Sequence, residues 1–537
     1  PVSDFLPKFV KNVAWSQVPV KLPYERSKNP HLLLTASESF ERQVFSHQGL
    51  SQHFHDFLFN NEEQDKNEQL CLYATRYGGH QFEHWADQLG DGRVVNFGEL
   101  EGNKAATQSA FFAGQEFITL SDPVLIECQA KGLCATRYSR HADGRAVLRS
   151  SIREFLCSEY LASLQQVPTT RALCLSSTGN QVRRDQFYDG RVQLEPGAVV
   201  VRCAPSFLRF GSFELLAAHN ELDLMHTMLN YLIDHFYTTN DDILSKETPC
   251  QRMIRFFERL FHASLYLVAS WQSIGFTHGV LNTDNMSAIG VTLDFGPFGF
   301  MEQYDPEFTP NWSDHTSLYS FKKQPDAVVW NLKALATALR HYLNKCEAVS
   351  PDEKQREQEA QHFEAYILSE LFHPVSKHLE NAIAARFKDK LGFAQWKPDT
   401  DDDLLSDLFA LLHREQMDFT NFFRNLDPSG KDNPPPALSQ WMTRYQNRLV
   451  DDPLSHQERE TLMQNTNPQI IPRNWIMQKL IGQVEDVIYT GQVHPDLDAY
   501  YKCLLNPYET PSRDEWMQPV DKSLAKKPGV TRLSCSS

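Results

Sequence analysis

No C-x-x-C pair occurs anywhere in this chain, although it contains 10 cysteines. Structural zinc is normally held by closely spaced thiolates, so a zinc site is not expected. Cys71, Cys128, Cys134, Cys157, Cys174, Cys203, Cys250, Cys346, Cys503 and Cys535 are instead scattered. That scatter fits a reducing compartment and mostly buried thiols, with Cys535 near the last residue as the exposed exception. No apolar run approaches the roughly 20 residues that span a bilayer, so the membrane is not an expected partner. The opening PVSDFLPKFVKNVAW lacks the apolar core of a signal peptide and begins without Met. The expectation is therefore a cytoplasmic protein, with a removed leader and the mitochondrion as the alternative. Excess positive charge is missing too: 52 basic against 68 acidic residues give a net charge of −16. That argues against a general nucleic-acid binder but leaves room for a local basic pocket. There are no internal repeats.

At 537 residues, 41% of them hydrophobic and 35 of them Phe, the chain can build more than one packed core. The expectation is two lobes plus an extra segment. Residues 1–70 are mixed. From 71 to 215, β-like runs alternate with turns: RVVNFGEL (93–100), PVLIECQAK (123–131) and GAVVVRCA (197–204). A helix over 146–164 interrupts them, with Leu148, Ile152, Phe155, Leu156 and Leu164 near helical spacing. Long periodic helices follow, at 221–237 and 251–272. DPSGKDNPPPAL (427–438) reads as a linker, a further helical segment runs to about 505, and the polar tail DKSLAKKPGVTRLSCSS reads as mobile. The class is α+β, and a β-rich region followed by a helical one is the order of a protein-kinase-like two-lobed fold. The boundaries drawn are an N-terminal extension packing on the core (1–70), a β-rich lobe (71–215), a helical lobe (216–426) and a C-terminal helical segment with its tail (427–537).

The stretch HGVLNTDNMSAIGVTLDFG, His278 to Gly296, carries the most chemistry. Asn285 and the Asp294 of D-F-G look like the pair that holds Mg²⁺ against ATP in a protein kinase. Both are oxygen ligands suited to Mg²⁺ or Mn²⁺. The usual H-R-D is absent, since Gly279 and Val280 follow His278. Asp284, directly before the Asn, could instead take a proton from an attacking hydroxyl or simply cap the loop. His278 reads as a structural anchor. Upstream, QLGDGR (88–93) offers Gly90 and Gly92 for close approach of backbone N–H groups to phosphate, with Arg93 for charge. Such a turn alone is more often a plain hairpin. Lys131 at a strand end and Glu154 on the following helix match the kinase pair that holds phosphates. Arg202 interrupts an apolar strand and Arg209 follows it. A guanidinium suits bidentate phosphate contact, though a structural salt bridge would explain Arg202 as well.

Taken together, YGGHQF (77–82), QLGDGR, SRHADGRAVLRSSIREFL (139–156), VPTTRAL (167–173), APSFLRFGSFE (204–214), HGVLNTDNMS (278–287) and DFGPFGF (294–300) resemble the selenoprotein O family. VVWNLKALA (328–336), MDFTNFFRNL (417–426) and NPQIIPRNW (467–475) extend the resemblance over nearly the whole chain. It implies a pseudokinase-like fold that binds ATP flipped and transfers AMP to hydroxyl side chains of proteins, including the chain itself. Carried over by position, Lys131 and Glu154 form the ion pair. Gly90, Gly92, Arg93, Asp143, Gly144, Arg202 and Arg209 contact the nucleotide, Asn285 and Asp294 hold the metal, and Asp284 accepts the proton. Flipping would bury the γ-phosphate among the arginines. The chain departs from the family at Glu83, where Gly is expected, and at Leu133, Cys134 and Arg137. The stretch between Arg93 and Lys131 is longer than usual, so the loop over the nucleotide is expected to differ. Pro310 stands where some relatives carry a Cys partner for the C-terminal Cys or selenocysteine. An ordinary protein kinase, UMP transfer from UTP, and an ATP-binding pseudoenzyme scaffold are the competing readings.

Overall fold

The computed structural model describes residues 18–19, 31–59, 72–186, 188–237, 247–429, 436–521, 530 and 532–534. It is a mixed α/β structure. Its strands are β1 (Val18–Pro19), β2 (Leu32–Ala36), β3 (Tyr73–Ala74), β4 (His80–Gln81), β5 (His84–Trp85), β6 (Val94–Gly102), β7 (Val124–Lys131), β8 (Ala146–Val147), β9 (Arg171–Asp185), β10 (Val192–Ala204), β11 (Phe276–Thr277) and β12 (Gly299–Phe300). One antiparallel sheet runs β1-β3-β6-β7-β10-β9-β2, with β8 also paired to β10. The three runs expected as strands are all strands here. β10 begins earlier than its apolar run because β9 and β10 form a long hairpin.

The register of the central strands positions charge. Lys131 pairs with Val94 on one side and Val200 on the other, and Arg202 lies opposite Gln129. Successive strand residues point to opposite faces, so Gln129 and Lys131 share a face. Helix Leu148–Ser163 packs on this sheet and buries charged as well as apolar residues. Three of its four buried charges are ion-paired: Arg149 meets Glu195, Glu154 meets Lys131, and Arg171 grips Glu159 with two hydrogen bonds of 2.8 and 2.7 Å. A buried charge without such a partner would cost several kcal/mol. The other side of this helix is held by the C-terminal helices Asn474–Val487 and Pro495–Leu504. Arg153 donates to Phe298 O and Asn474 Oδ1, Ser163 Oγ donates to Leu504 O, and Tyr501 packs edge-on against Phe155.

The expected long helices are present at Leu222–Phe236 and Pro249–Ser273. The second starts with a Thr248–Gln251 capping box and Pro at its first turn, which satisfies the otherwise unpaired N–H groups. Residues 104–112, in the long stretch before Lys131, form a helix rather than a loop over the cleft described below. Phe111 and Phe112 of that helix are fully buried, and Phe111 packs against Phe40. Of the tail, residues 521, 530 and 532–534 are described. Leu533 donates to Pro310 O and accepts from Trp312 N, both at 2.7 Å, and the Leu533 and Val530 side chains are buried. Cys71 and Cys535 lie outside the described residues, as do residues 430–435 of the expected linker. Of the described cysteines only Cys503 is partly exposed, and the others are buried and unlinked. Among the described residues no helix is long and apolar enough to cross a membrane.

A second core, around Phe387, Leu408, Phe423, Trp441 and Tyr445, encloses Lys390. Its ammonium sits 4.4 Å from the centre of the Phe423 ring. Burial pushes its pKa down from 10.5 to about 7. Between those values the folded chain has shed a proton that the unfolded chain keeps. Stability therefore falls as pH drops from 10.5 toward 7, and the full cost is present below 7. Lys390→Met should raise the unfolding free energy at pH 6 by on the order of 3 kcal/mol, with the gain shrinking toward pH 10. Urea unfolding at pH 6, 8 and 10 measures this, and a pH-independent difference would contradict it.

Candidate active site

Four charged side chains meet at the end of β7. Lys131 Nζ lies 2.8 Å from Glu154 Oε2 and 2.8 Å from Asp294 Oδ1. The other Glu154 oxygen accepts from Arg202 Nη1 at 3.2 Å, while the Arg202 fork also holds Gln129 Oε1 at 3.2 and 3.0 Å. Arg202 Nη1 is 3.9 Å from Asp294 Oδ1. The arginine that interrupts an apolar strand is thus paired inside the protein and faces the same carboxylate as Lys131.

The His278–Gly296 loop leaves β11 and returns through β12, which pair with each other. His278 anchors it: Nε2 lies 2.9 Å from Leu293 O, and Nδ1 accepts from Val280 N. Burial lowers its pKa and favours the neutral ring. Thr283–Asn285 form a short 3₁₀ turn. Asn285 donates Nδ2 to Val280 O at 3.0 Å, which leaves its carbonyl oxygen as the acceptor a hard cation prefers. Asp294 adopts φ +62°, uncommon for a residue with a side chain. Burial would raise its pKa, but the charges of Lys131 and Arg202 outweigh this and hold it well below the usual carboxylate range. Its side chain is still 33% exposed, so the carboxylate can reach a ligand. Asp284 is the opposite case: burial pushes its pKa up to about 6, against the pull of Arg209 and the Gln81 hydrogen bond. Arg209 donates to Asp284 O at 2.9 Å and lies 4.3 Å over the Tyr77 ring.

Tyr77, Lys131, Arg202, Arg209 and Asp294 border a cleft of about 650 Å³, within the range of small-molecule sites. Gly90, Gly92, Arg93, Lys131, Asp143, Gly144, Arg202, Arg209 and Asp294 all line it. Of the expected site residues, Glu154, Asp284 and Asn285 do not. Glu154 stands behind Lys131, and Asp284 is tied to the wall through Arg209. Gly90 has φ +136°, and a Cβ there would come within 2.6 Å of the Tyr138 ring, so the turn requires glycine. The Asp143 carboxylate already accepts two hydrogen bonds from Arg184, at 2.7 and 2.8 Å.

Tyr77, Asp91, His141, Arg145, Arg183 and Arg184 line the cleft without having been singled out. Asp91 sits inside QLGDGR, where glycine and arginine carried the reading. Arg183 and Arg184 lie near the end of β9, and only the sheet brings them here. Seven Arg and Lys side chains face three carboxylates in this cleft, within a chain of net charge −16. At Glu83 the turn of the β4–β5 hairpin is kept despite the missing glycine, with Phe82 and Glu83 at φ 50° and 64°.

Among the described residues no group of three or more His, Cys, Asp or Glu could hold a metal by itself. The oxygens of Asn285 and Asp294 nonetheless fit a hard divalent cation that takes its remaining ligands from phosphate and water, as Mg²⁺ commonly does.

A cationic cleft backed by an ion-paired lysine and lined by the Asp294 carboxylate suits an enzyme that handles nucleoside polyphosphates. Residues 18–504 match the family described as "Protein adenylyltransferase SelO". A "Protein nucleotidyltransferase YdiU" of Tolumonas auensis is 38% identical over 87% of this chain and 85% of its own length. Proteins of the same name from Flavobacterium johnsoniae (36% identical, 98% and 95% covered) and Azoarcus sp. (39%, 87% and 84%) are similar. The chain belongs to the SelO family and is a nucleotidyltransferase.

Proposed function

We propose that the enzyme transfers AMP from ATP to Ser, Thr or Tyr hydroxyls of proteins, itself included, on a kinase-like two-lobed frame with ATP held in the flipped orientation. The observation that carries this reading is the convergence of Lys131, Arg202 and Arg209 on Asp294 at one end of the cleft. Three cations meet there, so the β- and γ-phosphates would be drawn to them and the α-phosphate would face the acceptor. Gly90, Gly92, Arg93, Asp143 and Gly144 would contact the rest of the nucleotide, and Glu154 keeps Lys131 extended.

Asn285 and Asp294 would hold Mg²⁺ or Mn²⁺, which when bound neutralises phosphate charge. Asp284 takes the proton of the acceptor hydroxyl. The hydroxyl oxygen bonds to the α-phosphorus as the bond from that phosphorus to the bridging oxygen breaks, and pyrophosphate leaves with its charge held by Lys131, Arg202 and Arg209. A base kept near neutral suits a proton transfer at physiological pH.

Incubation of the protein with Mg²⁺ and ATP labelled at the α- or the γ-phosphate tests this. Protein-bound label from the α-position alone is the expected result. Label from the γ-position alone would mean kinase chemistry and overturn the reading of the arginines. Parallel reactions with labelled UTP decide which nucleotide is preferred, and faster transfer from UTP would replace AMP by UMP in this proposal.

A further inference from the structure

Three successive residues, His80, Gln81 and Phe82, each donate a hydrogen bond to the turn that carries Asp284. His80 N meets Thr283 Oγ1 at 2.7 Å, Gln81 Nε2 meets Asp284 Oδ2 at 3.2 Å, and Phe82 N meets Asn282 Oδ1 at 3.1 Å. Gly79 makes the approach feasible: at φ +145°, a Cβ would lie 2.7 Å from Thr283 Oγ1. The hairpin is itself held from outside. His80 Nδ1 is 2.6 Å from Glu214 Oε1, and the Tyr319 hydroxyl, 3.0 Å from Phe82 N, donates to Asn282 Oδ1 at 2.8 Å. Gln81 is thus carried on a frame fixed at several points.

The contact makes the two Asp284 oxygens unequal. Oδ2 accepts from Gln81, whereas Oδ1 is buried without a hydrogen-bond partner. Burying an unpartnered carboxylate oxygen is costly, so a donor brought to Oδ1 would be favoured there. The terminal torsion of an Asp is broad and nearly two-fold, so the side chain alone does not choose which oxygen faces that donor. One fixed amide donor on Oδ2 makes the choice.

We infer that Gln81 is a positioning residue for the transfer reaction: its amide orients the Asp284 carboxylate so that Oδ1 meets the acceptor hydroxyl. This rests on the reading of Asp284 as the proton acceptor. The alternative is a hairpin contact that only steadies the fold. Such a contact would matter whatever side chain stood at position 284, whereas positioning matters only while a carboxylate is there.

The test is a double-mutant cycle on the full chain, with kcat and KM measured using α-labelled ATP and Mg²⁺. Gln81→Met keeps the length of the side chain and removes the donor. It should lower kcat about 10- to 100-fold with KM for ATP nearly unchanged, since misorientation of a reacting group costs rate rather than nucleotide binding. Added to Asp284→Asn, it should cost nothing further. Gln81→Glu, equal in shape, guards against a packing defect and should lose at least as much as Gln81→Met. Losses that add across the cycle, a loss expressed in KM, or wild-type kcat in Gln81→Met would overturn the positioning role. Full activity of Asp284→Asn would sink the base assignment as well, so the two failures are told apart.

Discussion

Asp294→Asn should reduce nucleotidyl transfer on the order of a thousandfold while leaving metal-free nucleotide binding as tight as before or tighter. Two effects of opposite sign produce that split. The carboxylate neutralises Lys131, Arg202 and Arg209, which face it from the inner end of the cleft. Removing its charge leaves those cations short of a counter-ion, and a polyphosphate supplies one. The same carboxylate is the ionised ligand of the proposed metal pair. Without it the cation is held by Asn285 alone, and the stabilisation of transferring phosphate charge is lost, an effect worth several kcal/mol. Calorimetric titration with ATP in EDTA and then in Mg²⁺, beside a transfer assay, separates the two. Equal loss of metal-free and metal-dependent binding would mean that Asp294 serves the fold rather than the metal.

Asp284→Asn should lower kcat by about 10²- to 10⁴-fold, the usual worth of a positioned general base, with KM for ATP little changed. The substitution conserves shape and keeps an acceptor oxygen for Gln81. The Asp284 side chain does not line the cleft, and the Arg209 contact is made to its main-chain oxygen. Nucleotide binding should therefore survive while proton transfer fails. A large rise in KM with kcat preserved would place Asp284 in nucleotide binding instead.

The parts of this site that could be read in the chain are those written as short local patterns. Lys131 ends an apolar strand, Glu154 falls on a periodic helix, and Asn285 and Asp294 sit in one loop. Sheet register and a single helix packing then bring them together. The unread parts depend on contacts between distant segments. Gln81 and Asp284 are 203 positions apart, and neither residue type nor spacing announces that they touch. Arg183 and Arg184 look like the polar end of a strand until β9 and β10 lie beside the Asp143 turn. Asp91 was passed over because a carboxylate is an unexpected wall for an anion site. Burial raises its pKa against the pull of Arg209 and Arg202. The burial of Val530 and Leu533 was not legible because the polarity of the tail hides two apolar side chains, and the docking of Leu533 needs an open backbone edge at residues 310–312.

The helix that presents Glu154 is sandwiched between the sheet and the helices Asn474–Val487 and Pro495–Leu504. Order of synthesis therefore matters to this protein. While a ribosome is still making the residues beyond 473, the Lys131 strand, the Glu154 helix and the D-F-G loop already exist, but the partners of Arg153, Ser163 and Phe155 do not. A nascent chain in that state has every chemical group of the site and lacks the surface that keeps the Glu154 helix in place. The Glu154 helix is therefore held on both sides only once the segment from 474 to 504 has been made and packed.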